Sequence, residues 1–211
     1  MWNVVKGTKE KIKEMNQFWN EVVEAEGFYK PISEEEYLPK LESINGFSFD
    51  GVGLVYDEGK LIGMGIGVLK GDVSKDPNAP GAINAILVKP SYRHKRVGET
   101  ILHYLEDYFR QNNRKYSVAY GYLPSCYGWY IPNTDKHDHP CAPGIRVNSN
   151  EYFFLLHHRY EASGFQDAFH LNLSDYEISD KIAEILKKNE EKSENTSTDF
   201  ELTVDENENL E

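Results

Sequence analysis

A mostly apolar run, Ile83 to Val88, stops at Lys89-Pro90, turns through Arg93-His94-Lys95-Arg96, and gives way to a helical pattern from Gly98 to Asn113. A run that apolar reads as a strand central to a sheet. The proline breaks it. Ile101, Leu102, Leu105 and Phe109 recur at helical spacing and give the helix an inward face. A buried strand feeding an amphipathic helix is the unit around which the rest of the chain has to be arranged.

Upstream, Trp2 to Lys6 reads as a short first strand. A helical pattern opens at Thr8, with Ile12, Met15, Phe18, Val22 and Val23 on one face, and ends at Gly27. Ser33 and Glu36 form a capping box for a second, short helix; Pro39 is expected to interrupt it, and Gly46 closes the segment. A hairpin follows. Val52, Leu54 and Tyr56 alternate, Asp57-Glu58-Gly59 turns, and Leu61 to Leu69 returns. Gly63, Gly65 and Gly67 alternate on one face of the return strand, which predicts close approach by a ligand or another element. No helix follows these glycines, so they do not make a dinucleotide-binding loop. Residues 71–81 read as a loop.

Downstream, Tyr116 to Leu123 reads as a strand, and Tyr152 to Ala162 as a helix ended by Ser163-Gly164. Phe165 to Leu173 reads as one strand or two short ones. Tyr176 to Lys188 is an amphipathic helix, residues 189–198 are disordered by composition, and Phe200 to Val204 is a candidate last strand. Between them, Pro124 to Asn150 is a stretch of 27 residues with four prolines and no clear period. A loop that long inside a compact domain is usually functional.

The chain has 211 residues, 39% hydrophobic, enough for one large domain or a domain with an appendage. The expected division is a domain over 1–174 and an acidic helix and tail over 175–211. The tail holds 13 acidic and 4 basic residues, a net −9, which leaves 22 acidic and 19 basic residues, a net −3, in 1–174. Nucleic acid is therefore not an expected partner. No apolar run approaches the roughly 18 residues a membrane span needs. With no signal-peptide core in residues 1–20, the expected location is cytoplasmic and Cys126 and Cys141 are expected as free thiols.

The basic turn carries the chemistry. The first turn of a helix has unpaired N–H groups and the positive end of the dipole, so such a turn can cradle a phosphate or diphosphate. Arg93, Lys95 and Arg96 add positive charge there.

Val88-Lys89-Pro90, then Tyr92-Arg93-His94-Lys95-Arg96-Val97-Gly98, resembles the motif of the GNAT superfamily of acyl-CoA-dependent N-acetyltransferases. Tyr160-Glu-Ala-Ser-Gly164-Phe165 resembles the family's downstream Tyr-x-x-x-Gly-Phe. The resemblance runs over about residues 2–173. It implies an α+β, three-layer fold with a central mixed, mostly antiparallel sheet flanked by helices. It also implies acetyl-CoA as acyl donor and a small-molecule or peptide amine as acceptor; no metal is expected, because His137-x-His139 within one loop is a weak ligand pattern. The pantetheine would lie beside the Ile83–Val88 strand, paired with backbone of Leu87 and Val88, one of which supplies the oxyanion donor. The diphosphate would sit on the N–H groups of Arg93, His94, Lys95, Arg96, Val97, Gly98 and Glu99. Tyr160 occupies the general-acid position.

Arg96 departs from the family's usual glycine. It weakens cofactor binding if that position needs a positive φ or the space, and is tolerated, pointing outward or meeting a CoA phosphate, if only backbone N–H groups are used. The base is not identified; His137, Asp138, His139, Glu151 and Tyr120 are candidates by type. The 124–150 loop is expected to line the acceptor site with Tyr127, Trp129, Tyr130, His137, His139 and Arg146, beside Tyr120, or else to pack on the sheet or on a second copy in a homodimer. Two rivals stand beside the enzyme: a non-catalytic acyl-CoA-binding or scaffold module, and a metal-dependent hydrolase using the His137–Cys141 segment.

Overall fold

The computed structural model describes residues 2–119, 127–139, 144–165 and 177–194. The chain divides into two compact units, Met1–Gly164 and Phe165–Glu211.

In the first unit β1 (Val4–Lys6) leads through a 3-10 turn into α1 (Ile12–Glu26). The spaced apolar residues Met15, Phe18, Trp19, Val22 and Val23 are all buried. Gly27, at φ 66°, closes the helix with its N–H on the Val23 carbonyl. The Asn16 and Asn20 carboxamides both donate to the Ile32 carbonyl, at 2.8 and 2.9 Å, and fix the next turn against the helix. α2 (Glu34–Ser43) starts at the predicted box: Ser33 Oγ accepts from the Glu36 N–H at 3.3 Å and donates to its carboxylate at 2.8 Å. Pro39 does not interrupt it. Glu35, whose carbonyl loses its N–H partner to the proline, and Pro39 are both exposed, so the helix can carry the proline on its solvent side.

The hairpin forms β2 (Val52–Asp57) and β3 (Lys60–Leu69), and β4 (Gly81–Val88), α3 (Val97–Gln111) and β5 (Ser117–Ala119) follow. The sheet runs β1-β2-β3-β4-β5, antiparallel except for the parallel β4–β5 pair. α1 and α2 cover one face, where Trp19, Tyr37 and Leu41 meet Leu54, Met64 and Ile66. α3 covers the other, where Val97, Ile101, Leu105 and Phe109 meet Val55, Ile62 and Ile83. This is the mixed, mostly antiparallel three-layer arrangement.

The glycine row is filled by a helix. A methyl group on Gly63 would stand 2.6 Å from Val97 Cγ1, and one on Gly65 would be closer still to Ile101. Bare backbone on that face lets α3 lie down on the sheet. Burying each large apolar side chain of α3 there contributes about 1.5–3 kcal/mol.

Three downstream expectations change. The helix expected over 152–162 is α4 (Asn150–His157), closed by Arg159 in the left-handed region at φ 67°. Residues 189–194, read as disordered, belong to α5 (Asp180–Glu194) of the second unit, which starts later than expected. The long 124–150 segment contains a two-stranded hairpin, β6 (Trp129–Tyr130) with β7 (Asp138–His139). Residues 120–123, 166–173 and 200–204 of the expected strands, with Cys126 and Cys141, lie outside the described residues. No helix among those described is long and apolar enough to cross a membrane.

Candidate functional site

β4 is irregular where it matters. Ile66 pairs with Ala85 and Gly67 with Ile83, so Asn84 is an extra residue in the strand, a bulge. Among the described residues β5 pairs with β4 only from Gly81 to Ile83. A cavity of about 540 Å³ lies against the rest of β4, a volume within the range of small-molecule sites. It is walled by Trp19, Val22, Glu26 and Phe28 from α1 and the turn after it. Asn84 to Val88 of β4, Tyr127, and Glu151, Phe154, His157 and His158 from α4 and its end complete the walls.

The basic turn closes one end. His94 and Arg96 are both left-handed, at φ 59° and 65°, and α3 begins immediately after. The Arg93 N–H is used on the Pro90 carbonyl, and the first N–H to find a helical partner is that of Thr100, on the Arg96 carbonyl at 3.0 Å. The six N–H groups between, from His94 to Glu99, have no partner among the described residues. Alternating left-handed residues at the positive end of a 15-residue helix make an anion nest.

The nest is held in place from behind. The Trp2 indole N–H donates to the Lys95 carbonyl at 2.8 Å. Tyr92 donates its hydroxyl to Asp57 at 2.8 Å and lies under the Lys95 ammonium, 5.0 Å from its ring centre. Arg96 is exposed and carries its guanidinium along the helix to Glu99, whose pKa this pair pulls down to about 2. Position 96 therefore does require a positive φ, and an arginine adopts it while pointing outward.

Arg93 acts elsewhere. Its Nε donates to the Val88 carbonyl at 3.3 Å and its guanidinium pairs with Glu26, tying the end of α1 to the end of β4. The Lys89 N–H donates to the Ile62 carbonyl, and Leu87 is in register with Met64. Alternation along the ladder turns the Leu87 backbone toward β3 and the Val88 backbone toward the cavity.

The other expected residues separate into two groups. Tyr127 lines the cavity: it is 1% exposed, stacks on Trp19 with ring centres 4.3 Å apart, and donates its hydroxyl to Asn84 Oδ1 at 2.6 Å. Arg146 also lines it, with its guanidinium 5.2 Å above the Phe28 ring. Trp129 does not; it is buried behind Phe28 and paired with Tyr29. His137 and His139 are exposed on the outer hairpin, whose Asp138 pairs with Lys30, and are not in the wall of the cavity. The hairpin bonds to residues 28–30 instead, through Tyr130 N–H to the Phe28 carbonyl and Lys30 N–H to the Gly128 carbonyl, both 2.8 Å. Tyr120 lies outside the described residues. Among those described, no group of three His, Cys, Asp or Glu side chains is placed to hold a metal ion.

Tyr160 is not among the lining residues. α4 ends before it, and its hydroxyl lies 2.6 Å from Ser117 Oγ and 3.3 Å from Glu106 Oε1. Burial pushes its pKa up to about 12. The structure thus places the Tyr160 hydroxyl against Ser117 and Glu106 and not in the wall of the cavity.

Sequence reasoning missed Glu26, His157 and His158. Glu26 is the last residue of α1 and its pKa is raised, first by burial and further by the charge of Glu151, against the pull of Arg93. Its one signal is its place beside the capping Gly27, which holds it at the mouth of the cavity. His158, whose pKa burial lowers, follows a helix end the periodicity did not locate.

The family model of the acetyltransferase (GNAT) family matches residues 15–122. No curated protein matches the chain by sequence. Among solved structures, a ribosomal-protein-alanine N-acetyltransferase from Brucella melitensis biovar Abortus 2308 is 12% identical with a TM-score of 0.54, covering 81% of this chain and 99% of that one. Glucosamine-6-phosphate N-acetyltransferase from Arabidopsis thaliana is 13% identical with a TM-score of 0.52, covering 82% and 99%. AAC(6')-Iy, in complex with the bisubstrate analogue CoA-S-monomethyl-acetylneamine, is 9% identical with a TM-score of 0.52, covering 82% and 99%. At such identities the likeness is one of fold. The family match spans more than half of the sequence and includes the strand, the nest and the helix that follows, and the chain belongs to the acetyltransferase (GNAT) family.

Proposed function

We propose that the chain transfers an acetyl group from acetyl-CoA to a primary amine, free or peptide-borne, by direct attack in a ternary complex. The observation that carries the reading is the run of six partnerless N–H donors from His94 to Glu99 at the mouth of the cavity. N–H donors without protein partners, in a left-handed turn at a helix start, fit a diphosphate. Proteins of similar fold include one in complex with a CoA bisubstrate analogue and a glucosamine-6-phosphate N-acetyltransferase, which supports the same class.

Acetyl-CoA supplies the acyl thioester. The Val88 N–H, turned to the cavity, is the donor for the thioester oxygen as negative charge grows on it. Glu26 takes the proton of the attacking ammonium, its raised pKa bringing it nearer to the working pH. The free amine then adds to the thioester carbon, the C–S bond breaks, and CoA leaves as its thiolate, which takes up the proton that the new amide nitrogen sheds. Glu151, with no ion pair among the described residues, adds the second negative charge that draws a cation in.

The test is thioester consumption across a panel of primary amines. Steady turnover that falls by about a hundredfold or more in Glu26→Gln supports the reading, since positioned proton transfer contributes that much. No turnover with any amine, together with no CoA binding at millimolar ligand, overturns it. The placement of Tyr160 favours a second reading, an acyl-CoA-binding module without turnover. CoA binding without thioester consumption would select it.

A further inference from the structure

Asn84 is the residue that the bulge adds to β4. It is 6% exposed, and what it exposes lines the cavity. Its Oδ1 is taken by the Tyr127 hydroxyl at 2.6 Å. Its Nδ2 has no partner among the described residues. A buried carboxamide rarely leaves its donor unused. With the Tyr127 hydroxyl donating to Oδ1, Nδ2 is the end left for the open space, and the Tyr127 ring is itself held by its stack on Trp19. One oriented N–H donor therefore faces the cavity from a rigid support.

Its direction tells what it meets. Backbone groups along the edge of β4 are what an extended cofactor arm would pair with. The Asn84 side chain leaves the sheet on the α1 side, toward Trp19 and Tyr127. That side belongs to whatever approaches the thioester from α1, where Glu26 also stands. We propose that Asn84 Nδ2 donates a hydrogen bond to a hydroxyl or carbonyl oxygen of the acceptor, so that the substrates of this site are primary amines carrying such an oxygen close to the nitrogen. A bare alkylamine would leave the donor buried and unpaired, and sites built that way reject the analogue lacking the oxygen. Tyr127 is the positioning residue that keeps the amide from turning over.

The inference rests on the acetyltransferase reading. Its test compares matched probes: trans-2-aminocyclohexanol with cyclohexylamine, and alaninamide with isopropylamine. kcat/KM is measured for each in the wild-type chain and in Asn84→Ala and Tyr127→Phe, with CoA affinity measured alongside. Differences in intrinsic amine reactivity cancel when the same ratio is compared between variants. In at least one pair the preference for the oxygen-bearing amine is expected to drop about tenfold or more in Asn84→Ala. A smaller drop is expected in Tyr127→Phe, which keeps the ring stack should the first variant fold poorly. CoA affinity stays within about threefold. An unchanged ratio in both pairs overturns the inference while leaving the acetyltransferase reading intact. So does an equal loss for both members of each pair, which would place Asn84 on the thioester. No acetylation of any amine takes down both.

Discussion

Arg96 holds Glu99 at two points, Nε to Oε2 at 2.7 Å and Nη2 to Oε1 at 3.0 Å, one helical turn ahead of itself. The pair draws the guanidinium away from the six N–H groups while the backbone at position 96 keeps φ 65°. The nest thus depends on the left-handed backbone at 96 and not on the guanidinium.

Glycine at 96 should therefore change little. It adopts the same φ without the steric cost of a side chain, which is about 1 kcal/mol, but loses the pair with Glu99 and gains freedom when unfolded. Arg96→Gly is expected to keep CoA affinity within about threefold. A β-branched residue cannot hold that φ cheaply, so Arg96→Val should weaken CoA at least about tenfold. Isothermal calorimetry reads both.

The two carboxylates at the cavity set an acid limb. Burial raises the pKa of Glu26 and Glu151 raises it further. The base form of Glu26 is thus gained at higher pH than that of an ordinary glutamate, and kcat/KM should rise with pH as it forms. Glu151→Gln removes a like charge, so the limb should move to lower pH. Glu26→Gln should abolish it. The sign for stability is opposite: a carboxyl held protonated in the fold to higher pH than in the unfolded chain stabilises at low pH, and that contribution is lost as pH rises through its folded pKa. A pH–rate profile of the three proteins checks the rate prediction.

Gly65→Ala would push a methyl group into Ile101 and against Leu105, whose Cδ1 lies 3.3 Å from its position. Overpacking of this kind costs about 1–3 kcal/mol. Urea unfolding should show that loss. Because α3 must lift from β3 to make room, the nest at its start should loosen, and CoA affinity should fall with stability.

What was legible in the sequence was whatever local pattern dictates. The Ser33–Glu36 box, the spaced apolars of α1 and α3, and the strand broken at Pro90 each landed within a residue or two, because each is decided by neighbours in sequence. The alternation of Gly63, Gly65 and Gly67 announced a close approach, though not that α3 makes it. Residues whose role depends on where two distant elements meet were not legible. Beyond its place beside Gly27, nothing in the run Glu21, Glu24, Glu26 marks the last as the one facing Arg93, and nothing around Asn84 announces a bulge. Tyr160 matched its motif in spacing, yet an early end to α4 carried it to Ser117 and Glu106. His137 and His139 looked suited to a site by chemistry alone, and their hairpin faces outward.

The central claim is that the backbone amides from His94 to Glu99 grip the diphosphate of CoA. An amide-resolved NMR titration tests it most directly, with CoA compared against pantetheine, which lacks the diphosphate. The six amide resonances should shift strongly and saturably with CoA and stay nearly still with pantetheine. Equal shifts with both ligands, or none with CoA at millimolar concentration, would contradict it.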